Sequence, residues 1–592
     1  MSFQNLRTAL NSGLGEKTGF VFYFFLALVL SLPFVCMPLV NPDLFWHLSA
    51  GKFIFGNLAV PRADFLSWTA QGAEWIDFEW LTQVLYYFVH SEYGAGGLYA
   101  LKLLLVLLSL SAAGALLSLF LKNPRHLLWC LPLAAASMLS SSDLRPENFS
   151  AGFFSLVFYL LEKKKTSPSA GAGTLFFFFF AFALWANLHG GFLYGLLLMC
   201  IYTAGAFLNE NTPYIYGETR KLSFSKSAPL AAWLAAAFAG TFLNPYGCKV
   251  YAVIADHYRL APLIQDYITE WRAFDITYEY IRPFAALMIL SITFFLADFL
   301  KNRRTDFTRF FLILSFSFLC LSHMRNSMYG TVVFSAILLS SLPERAKSPG
   351  AALPAVALVL LLLGLHFYNS VFQYYGRFDY AKFEKNSPEL SDFLKKNRDE
   401  IGGLKMYNMW AWGGWLGWEL YPDYKVFVDG RYIFHPMLEE TVKARAYLDF
   451  WKTLEKKYGI ELVVMEPTQT RLAVKHGLKG GGSFMAQRPF YLFLLPKKEW
   501  AVVYFDARIF AAVKRDRVDK NWLKENEYVY LRPNDLENLE VPLLEGELSP
   551  AAVEREVSRY LRSHSWDSPA GLNFYISDWH SRMTEKLADK KK

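Results

Sequence analysis

Apolar runs recur along the first 367 residues of this chain and then stop. They fall near 20–40, 97–121, 127–140, 149–161, 174–187, 191–208, 228–243, 283–300, 308–322, 327–342 and 351–367. A helix needs roughly 20 apolar residues to cross a bilayer, so the pattern predicts about eleven spans, several of them short, tilted or re-entrant. The phenylalanines at 176–180 read as a lipid-facing surface. Beyond Tyr368 charge becomes dense and the pattern turns to that of a soluble α/β domain. There Ser387-Pro388-Glu389 predicts a helix start, with serine as cap and proline in the first turn. Segments 425–428 and 461–465 predict strands around a helix at 437–458, a βαβ-like arrangement. A further strand is expected at 491–495, and a hairpin at 500–505 with 509–513. The expected fold class is a polytopic α-helical membrane protein with a C-terminal extracytoplasmic α/β domain. Its predicted parts are a membrane domain at 1–367, an α/β domain at 368–540 and a charged helical tail at 541–592.

Charge fixes the expected orientation. Lys122, Arg125, Lys163, Lys164, Lys165, Arg220, Lys221, Lys226, Lys301, Arg303, Arg304, Arg309, Arg345 and Lys347 all fall in loops on one side of the spans. With Arg7 and Lys17 they make about sixteen basic residues, which marks that side as cytoplasmic. An odd number of spans then puts the C-terminal domain outside. With no small-x-small cleavage pattern after it, the first apolar run reads as a retained helix.

The outer loops carry the ionisable residues. The first holds Asp43, His47, Asp64, Glu74, Asp77 and Glu79, and the second Asp143, Arg145 and Glu147. The third holds Asn187 and His189, the fourth Asp256, His257, Asp266, Glu270 and Arg272, and the fifth His323, Arg325 and Asn326. Two of these loops, 41–96 and 244–282, are far longer than ordinary connections, which is usual for functional loops. Residues 43–55 have the spacing of an amphipathic helix lying flat at the interface. Residues 60–64 predict a turn, 67–69 an extended piece, and 75–89 a second amphipathic helix. Asp43 follows the first span directly, and two readings of it stand open. Its carboxylate caps the interfacial helix, or it acts on something lipid-linked at the membrane surface.

Composition narrows the classes. Of 592 residues 54% are hydrophobic, 17% aromatic and only 19% charged. The net charge of +8 sits in short basic loops and the terminal lysines, so it gives no argument for nucleic acid. The five cysteines include no Cys-x-x-Cys pair and read as small core residues, neither a disulfide framework nor a metal site. Charges are nearly absent from the middle of the spans, with Lys102 and Asp298 close to span ends. A transporter needs such groups, so that reading ranks third.

A long first outer loop with an aspartate right after the first helix, many spans and an outer C-terminal domain resemble the GT-C superfamily of membrane glycosyltransferases. More narrowly, the chain is similar to a largely uncharacterised group of bacterial multi-pass membrane proteins. The motifs are Pro42-Asp43-Leu44-Phe45-Trp46-His47-Leu48, Val60-Pro61-Arg62-Ala63-Asp64, Glu79-Trp80-Leu81, Arg145-Pro146-Glu147 and Asn187-Leu188-His189-Gly190-Gly191. Asn244-Pro245-Tyr246-Gly247, Glu270-Trp271 and Val426-Phe427-Val428-Asp429-Gly430-Arg431 complete the set, which spans most of residues 20–510. The resemblance implies a bacterial inner-membrane enzyme with a cytoplasmic N-terminus and a periplasmic C-terminal domain. It would transfer a hexose or pentose from a polyprenyl-phosphate-linked donor to a glycan, lipid or protein acceptor, with inversion. Asp43 would act as base on the acceptor hydroxyl, with Asp64 and Glu79 the next candidates.

Arg145 and Arg325 would stabilise the phosphate leaving group, or else anchor to lipid headgroups. His47 and His189 would relay protons or bind sugar, or are satisfied structural histidines. Glu147 and Glu270 join the substrate-binding candidates. Some superfamily members hold a divalent metal on loop carboxylates, but Arg145 inside Asp143-Leu144-Arg145-Pro146-Glu147 offsets their charge, so no metal or other cofactor is expected. The tryptophan cluster around Trp412 sits where the oligosaccharyltransferase catalytic subunit carries its acceptor motif, without that motif's aspartate and tyrosine. Trp412 is thus either a sugar-stacking face or core. Asp429 and Arg431 either face the membrane groove or form a structural ion pair. The alternative to an enzyme is a non-catalytic relative that binds lipid-linked glycan or assists envelope assembly.

Overall fold

Each apolar run that lies within the described residues becomes a helix in the computed structural model. The structure describes residues 16–590, apart from 122, 139–142, 167, 216–221, 303–305, most of 344–386, 479–480 and 565–571. The chain divides into two compact units, Met1–Arg62 with Ile76–Glu384, and Ala63–Trp75 with Lys385–Lys592.

The first unit is all-helical. Its helices are α1 (Glu16–Val35), α2 (Leu44–Asn57), α3 (Trp80–Ser118), α4 (Leu127–Ser137), α5 (Glu147–Lys164) and α6 (Ala172–Leu188). They continue as α7 (Phe192–Ile215), α8 (Ser227–Gly240), α9 (Lys249–Tyr267), α10 (Arg282–Asn302), α11 (Phe307–Ser322) and α12 (Ser327–Ser341). All but α2 and α9 match expected spans; the expected span at 351–367 lies mostly outside the described residues, as do many of the basic loop residues. α5 shows how charge fits a span: Glu147 sits in its first turn and Lys163 and Lys164 in its last, each opposite in sign to its end of the helix dipole. On α6, Phe176, Phe177 and Phe180 are exposed while Phe178 and Phe182 are buried, so only part of the phenylalanine run faces outward. Small residues let the helices close up: a Cβ on Gly240 of α8 would stand 2.1 Å from the Phe179 carbonyl oxygen of α6.

Two expectations change. The helix after Asp43 forms, but its residues from Leu44 to Gly51 are all buried. Lys52 and Phe55–Asn57 are exposed, so the burial is confined mainly to its N-terminal half. The second loop helix starts at Trp80, not at 75, and runs on into the next span as α3, broken only where Gly94 takes φ 61°.

The second unit is built on a four-stranded sheet of order β1-β2-β6-β5, with β1 (Met406–Asn408), β2 (Leu462–Met465), β5 (Trp500–Phe505) and β6 (Phe510–Lys514). Only β1 and β2 are parallel; the expected β5–β6 hairpin is present. A separate hairpin, β3 (Arg471–Gly477) with β4 (Ser483–Pro489), escaped the sequence reading. Its strands are mostly exposed and lack the apolar alternation of a packed strand. The expected helix at 437–458 is two, Leu438–Ala446 and Leu448–Tyr458, parted by Tyr447 in extended conformation. Residues 491–495 form a helical turn instead of a strand. The tail is no appendage: Val553, Val557, Tyr560, Ile576, Trp579 and Met583 belong to the same core as the sheet.

The expected strand at 425–428 does not join that sheet. Val426 pairs instead with Ser67, from the segment between α2 and α3. Residues 63–75 thus complete this unit, with the Trp68 indole donating to the Met406 carbonyl at 2.9 Å. A buried ion triad holds them. The Arg431 guanidinium lies 2.6 Å from Asp64 and 2.7 Å from Asp429, with all three side chains at most 1% exposed, and packs over the Trp75 ring at 4.6 Å. Asp64 also accepts from the Leu66 and Ser67 amides and the Ser67 hydroxyl. Replacing Arg431 by methionine leaves two buried carboxylates without their cation. The expected loss is about 3–5 kcal/mol of stability, read by thermal unfolding and by faster proteolysis within 63–75.

Candidate active site

The ends of the helices in the first unit gather ionisable groups that lie far apart in sequence. Asn41 opens the group. Its side-chain oxygen accepts from the Asp43 amide at 3.2 Å and its carbonyl from the Leu44 amide at 3.3 Å, which starts α2. The Asp43 carboxylate makes no capping hydrogen bond to that helix. Of the two readings, capping falls away. The chain just before is pinned by the Val40 amide on Asp143 at 3.0 Å and by the buried Lys102 ammonium on the Met37 carbonyl.

Glu79, immediately before α3, sits between two imidazoles. His47 Nε2 is 4.0 Å from one of its oxygens and His189 Nε2 is 3.7 Å from the other. Burial, then the neighbouring Asp77, pushes the Glu79 carboxyl well above the usual carboxylate range. Burial, then His189 and Arg145, pushes His47 well below its ordinary value. Burial, then Arg325, pushes His189 down to about 3. The tautomer of His189 follows from its partners. Its Nδ1 accepts from the Gly191 amide at 3.0 Å and faces the Ser150 hydroxyl at 2.7 Å. That nitrogen therefore carries the lone pair, and the proton sits on Nε2, directed toward Glu79. The Ser150 oxygen in turn accepts from the Trp185 indole at 2.7 Å.

Next to this neutral set stand two cations. Arg145 Nη1 lies 2.5 Å from Glu270 and 3.9 Å from Glu147, and Arg325 Nη2 lies 3.8 Å from Glu147. Glu270, outweighing burial, holds Arg145 above its ordinary value. Burial works to raise Glu270, but Arg145 and Arg325 outweigh it and keep that carboxyl low. Arg325 lies over the Trp271 ring at 4.6 Å. Trp271 is itself fixed, since its carbonyl meets His323 Nδ1 at 2.7 Å and His257 stacks on its ring. Among the described residues, Arg325 donates no hydrogen bond to protein, although its side chain is only 28% exposed. No three His, Cys, Asp or Glu among the described residues are arranged to hold a metal ion.

No family model and no curated protein sequence matches the chain. Among solved structures, the apo oligosaccharyltransferase of Archaeoglobus fulgidus superposes over 95% of this chain and 86% of its own, with a TM-score of 0.53 at 11% identity. ArnT from Cupriavidus metallidurans, in a structure with undecaprenyl phosphate bound, covers 83% of this chain and 97% of its own, with a TM-score of 0.44 at 13% identity. Both are GT-C membrane glycosyltransferases. The chain has a GT-C fold.

Of the sequence candidates, the GT-C unit holds Asp43, His47, Glu79, Arg145, Glu147, His189, Glu270 and Arg325. Asp64, Asp429, Arg431 and Trp412 belong to the other unit. There the first three form the buried triad, and Trp412 is 7% exposed, so each has a structural part. Ser150 and Trp271 were missed. Ser150 follows Glu147 by three residues and so shares its helix face, a signal that was readable. Trp271 had been noted only as part of a motif.

Two outcomes follow. Between pH 6.5 and 3 the unfolded chain protonates His189 while the folded chain does not, so its stabilising share, full above about pH 6.5, is lost as pH falls toward 3. A His189→Gln variant should show a shallower fall of Tm over that window than wild type. A Cβ on Gly191 would stand 2.3 Å from both the Ser150 and Tyr329 hydroxyl oxygens. Gly191→Ala should therefore push Ser150 from His189 and lower Tm.

Proposed function

We propose that this protein is a membrane glycosyltransferase moving a sugar from a polyprenyl-phosphate carrier to an acceptor hydroxyl at the extracytoplasmic face of a bacterial inner membrane. The observation that carries the reading is Arg325. A guanidinium stacked on Trp271 and 28% exposed, with none of its N–H donors hydrogen-bonded to protein among the described residues, has those donors free for an acceptor from outside the chain. A phosphate oxygen meets guanidinium geometry and charge. Arg145 adds a second cation, held in place by Glu270.

In the reaction, the acceptor oxygen attacks the anomeric carbon as the bond from that carbon to the phosphate oxygen breaks. The configuration inverts, and the acceptor proton passes to the Asp43 carboxylate. Polyprenyl phosphate leaves carrying the bonding electrons, and the guanidinium groups stabilise the charge that develops on it. Asn41 supports this part for Asp43 by taking over the helix start. Glu79, flanked by neutral imidazoles and lifted above the carboxylate range, is suited to donate a hydrogen bond rather than accept a proton.

The test is sugar transfer by the purified protein from polyprenyl-phosphate sugars to glycan or lipid acceptors. Asp43→Asn should lower turnover by roughly 10²–10⁴-fold and Arg325→Met by roughly 10²–10³-fold, with folding intact. Full transfer by the Asp43→Asn protein would remove the base from the mechanism. Carrier binding without transfer by wild type would favour a lipid-glycan-binding protein.

A further inference from the structure

The second unit contains a cavity of about 440 Å³ with no part in the chemistry above. That lies toward the lower end of the size range of small-molecule pockets, roughly 300–1,000 Å³. Its walls include Arg471, Arg532, Asp506, Glu537, Asn534 and Tyr575. Two guanidinium groups face two carboxylates, so the lining carries no net formal charge.

The hydrogen-bonding state of each group decides what fits. Asp506 is fully occupied, accepting from the Ser387 and Tyr504 hydroxyls at 2.6 and 3.1 Å and the Arg508 and Ile509 amides at 2.7 and 2.9 Å. Arg471 is held by Glu537 and by the Asn534 carbonyl, both at 3.2 Å. Three groups remain open among the described residues. Glu537 Oε1 and the Asn534 side-chain amide have no hydrogen-bond partner. Arg532, only 5% exposed, donates no hydrogen bond. Its nearest carboxylate, Glu527 at 3.5 Å, is already gripped by Arg515 through both oxygens. The buried Nη2 is the nitrogen beside Glu527, and the other guanidinium nitrogens, which are not buried, are the donors open to an outside acceptor. Tyr575 adds a ring that is 40% exposed.

We propose that this cavity is a saccharide-binding site for a neutral glycan. A sugar ring offers hydroxyls that both donate and accept, which an open guanidinium, carboxylate oxygen and amide satisfy together. Its apolar face suits the Tyr575 ring. A phosphate or a sugar acid finds no net positive charge here to replace its hydration.

The test uses the full-length protein in detergent, in the Asp43→Asn background, so that its outcome is independent of transfer. A panel of neutral hexose and N-acetylhexosamine oligosaccharides is titrated by calorimetry and saturation-transfer NMR, beside a glucuronic-acid disaccharide and inorganic phosphate. A neutral oligosaccharide should bind, and Tyr575→Ala and Glu537→Gln, both on accessible side chains, should each weaken it about tenfold without changing Tm. No binding by any neutral member would overturn the proposal. So would equal binding by both variants, or tighter binding of phosphate or the uronide.

Discussion

A charge taken from water needs a partner, and in this GT-C unit that constraint decides where chemistry can stand. The spans are apolar enough that charges collect at helix ends, and there they come to rest against each other. Glu147 opens α5, Glu79 and His189 flank α3 and α6, and Arg145, Glu270 and Arg325 sit in the turns between helices. The Arg145–Glu270 contact at 2.5 Å ties the turn before α5 to the segment between α9 and α10, and His323 on the Trp271 carbonyl ties that segment to the turn between α11 and α12. Segments separated by more than a hundred residues thus share one charge set.

Within that set the charges are not spread evenly. The cationic side, Arg145 and Arg325, has low-lying Glu270 beside it and stays ionised. The other side, His47, Glu79 and His189, is driven toward neutrality by burial. Under the proposed function, two environments side by side, one that holds charge and one that sheds it, suit a transfer in which the leaving group is an anion and the acceptor a neutral hydroxyl. The Gly191 amide matters here because it fixes which nitrogen of His189 carries the proton. A backbone donor cannot titrate, so the tautomer does not change with the state of the site.

Much of the membrane half was legible in the sequence because apolar length and loop charge are local quantities. Sorting polar residues by loop gathered Asp43, His47, Glu79, Arg145, Glu147, His189, Glu270 and Arg325, which all lie in one unit. Asp64 was misplaced for the opposite reason. It lies in the same loop as Asp43 and looks alike locally, but its partner is Arg431, 367 positions along the chain. The strand assigned at 425–428 failed in the same way, since its pairing segment is Ser67 rather than a neighbour in sequence. The flatness expected of the helix after Asp43 came from reading spacing alone. The burial of Leu44 to Gly51 depends on neighbours such as Gln83, whose carbonyl leaves no room for a Cβ at Gly51.

Residues 63–75, which belong to the second unit, separate Asp43 from Glu79 in the chain, so contacts elsewhere must hold the two in register. Both ends of that segment are fastened within the GT-C unit. At the exit the Tyr246 hydroxyl donates to the Pro61 carbonyl at 2.8 Å, and Arg62 lies over the same ring at 5.0 Å. At the return the buried Gln83 amide donates to Asp77 at 2.6 Å, two residues before Glu79. Asp43 is fixed on its own side by Asn41 and by the Val40 contact to Asp143. The geometry of the charged set is therefore determined by contacts inside its own unit. The triad of Asp64, Asp429 and Arg431 is a separate set, buried within the other unit.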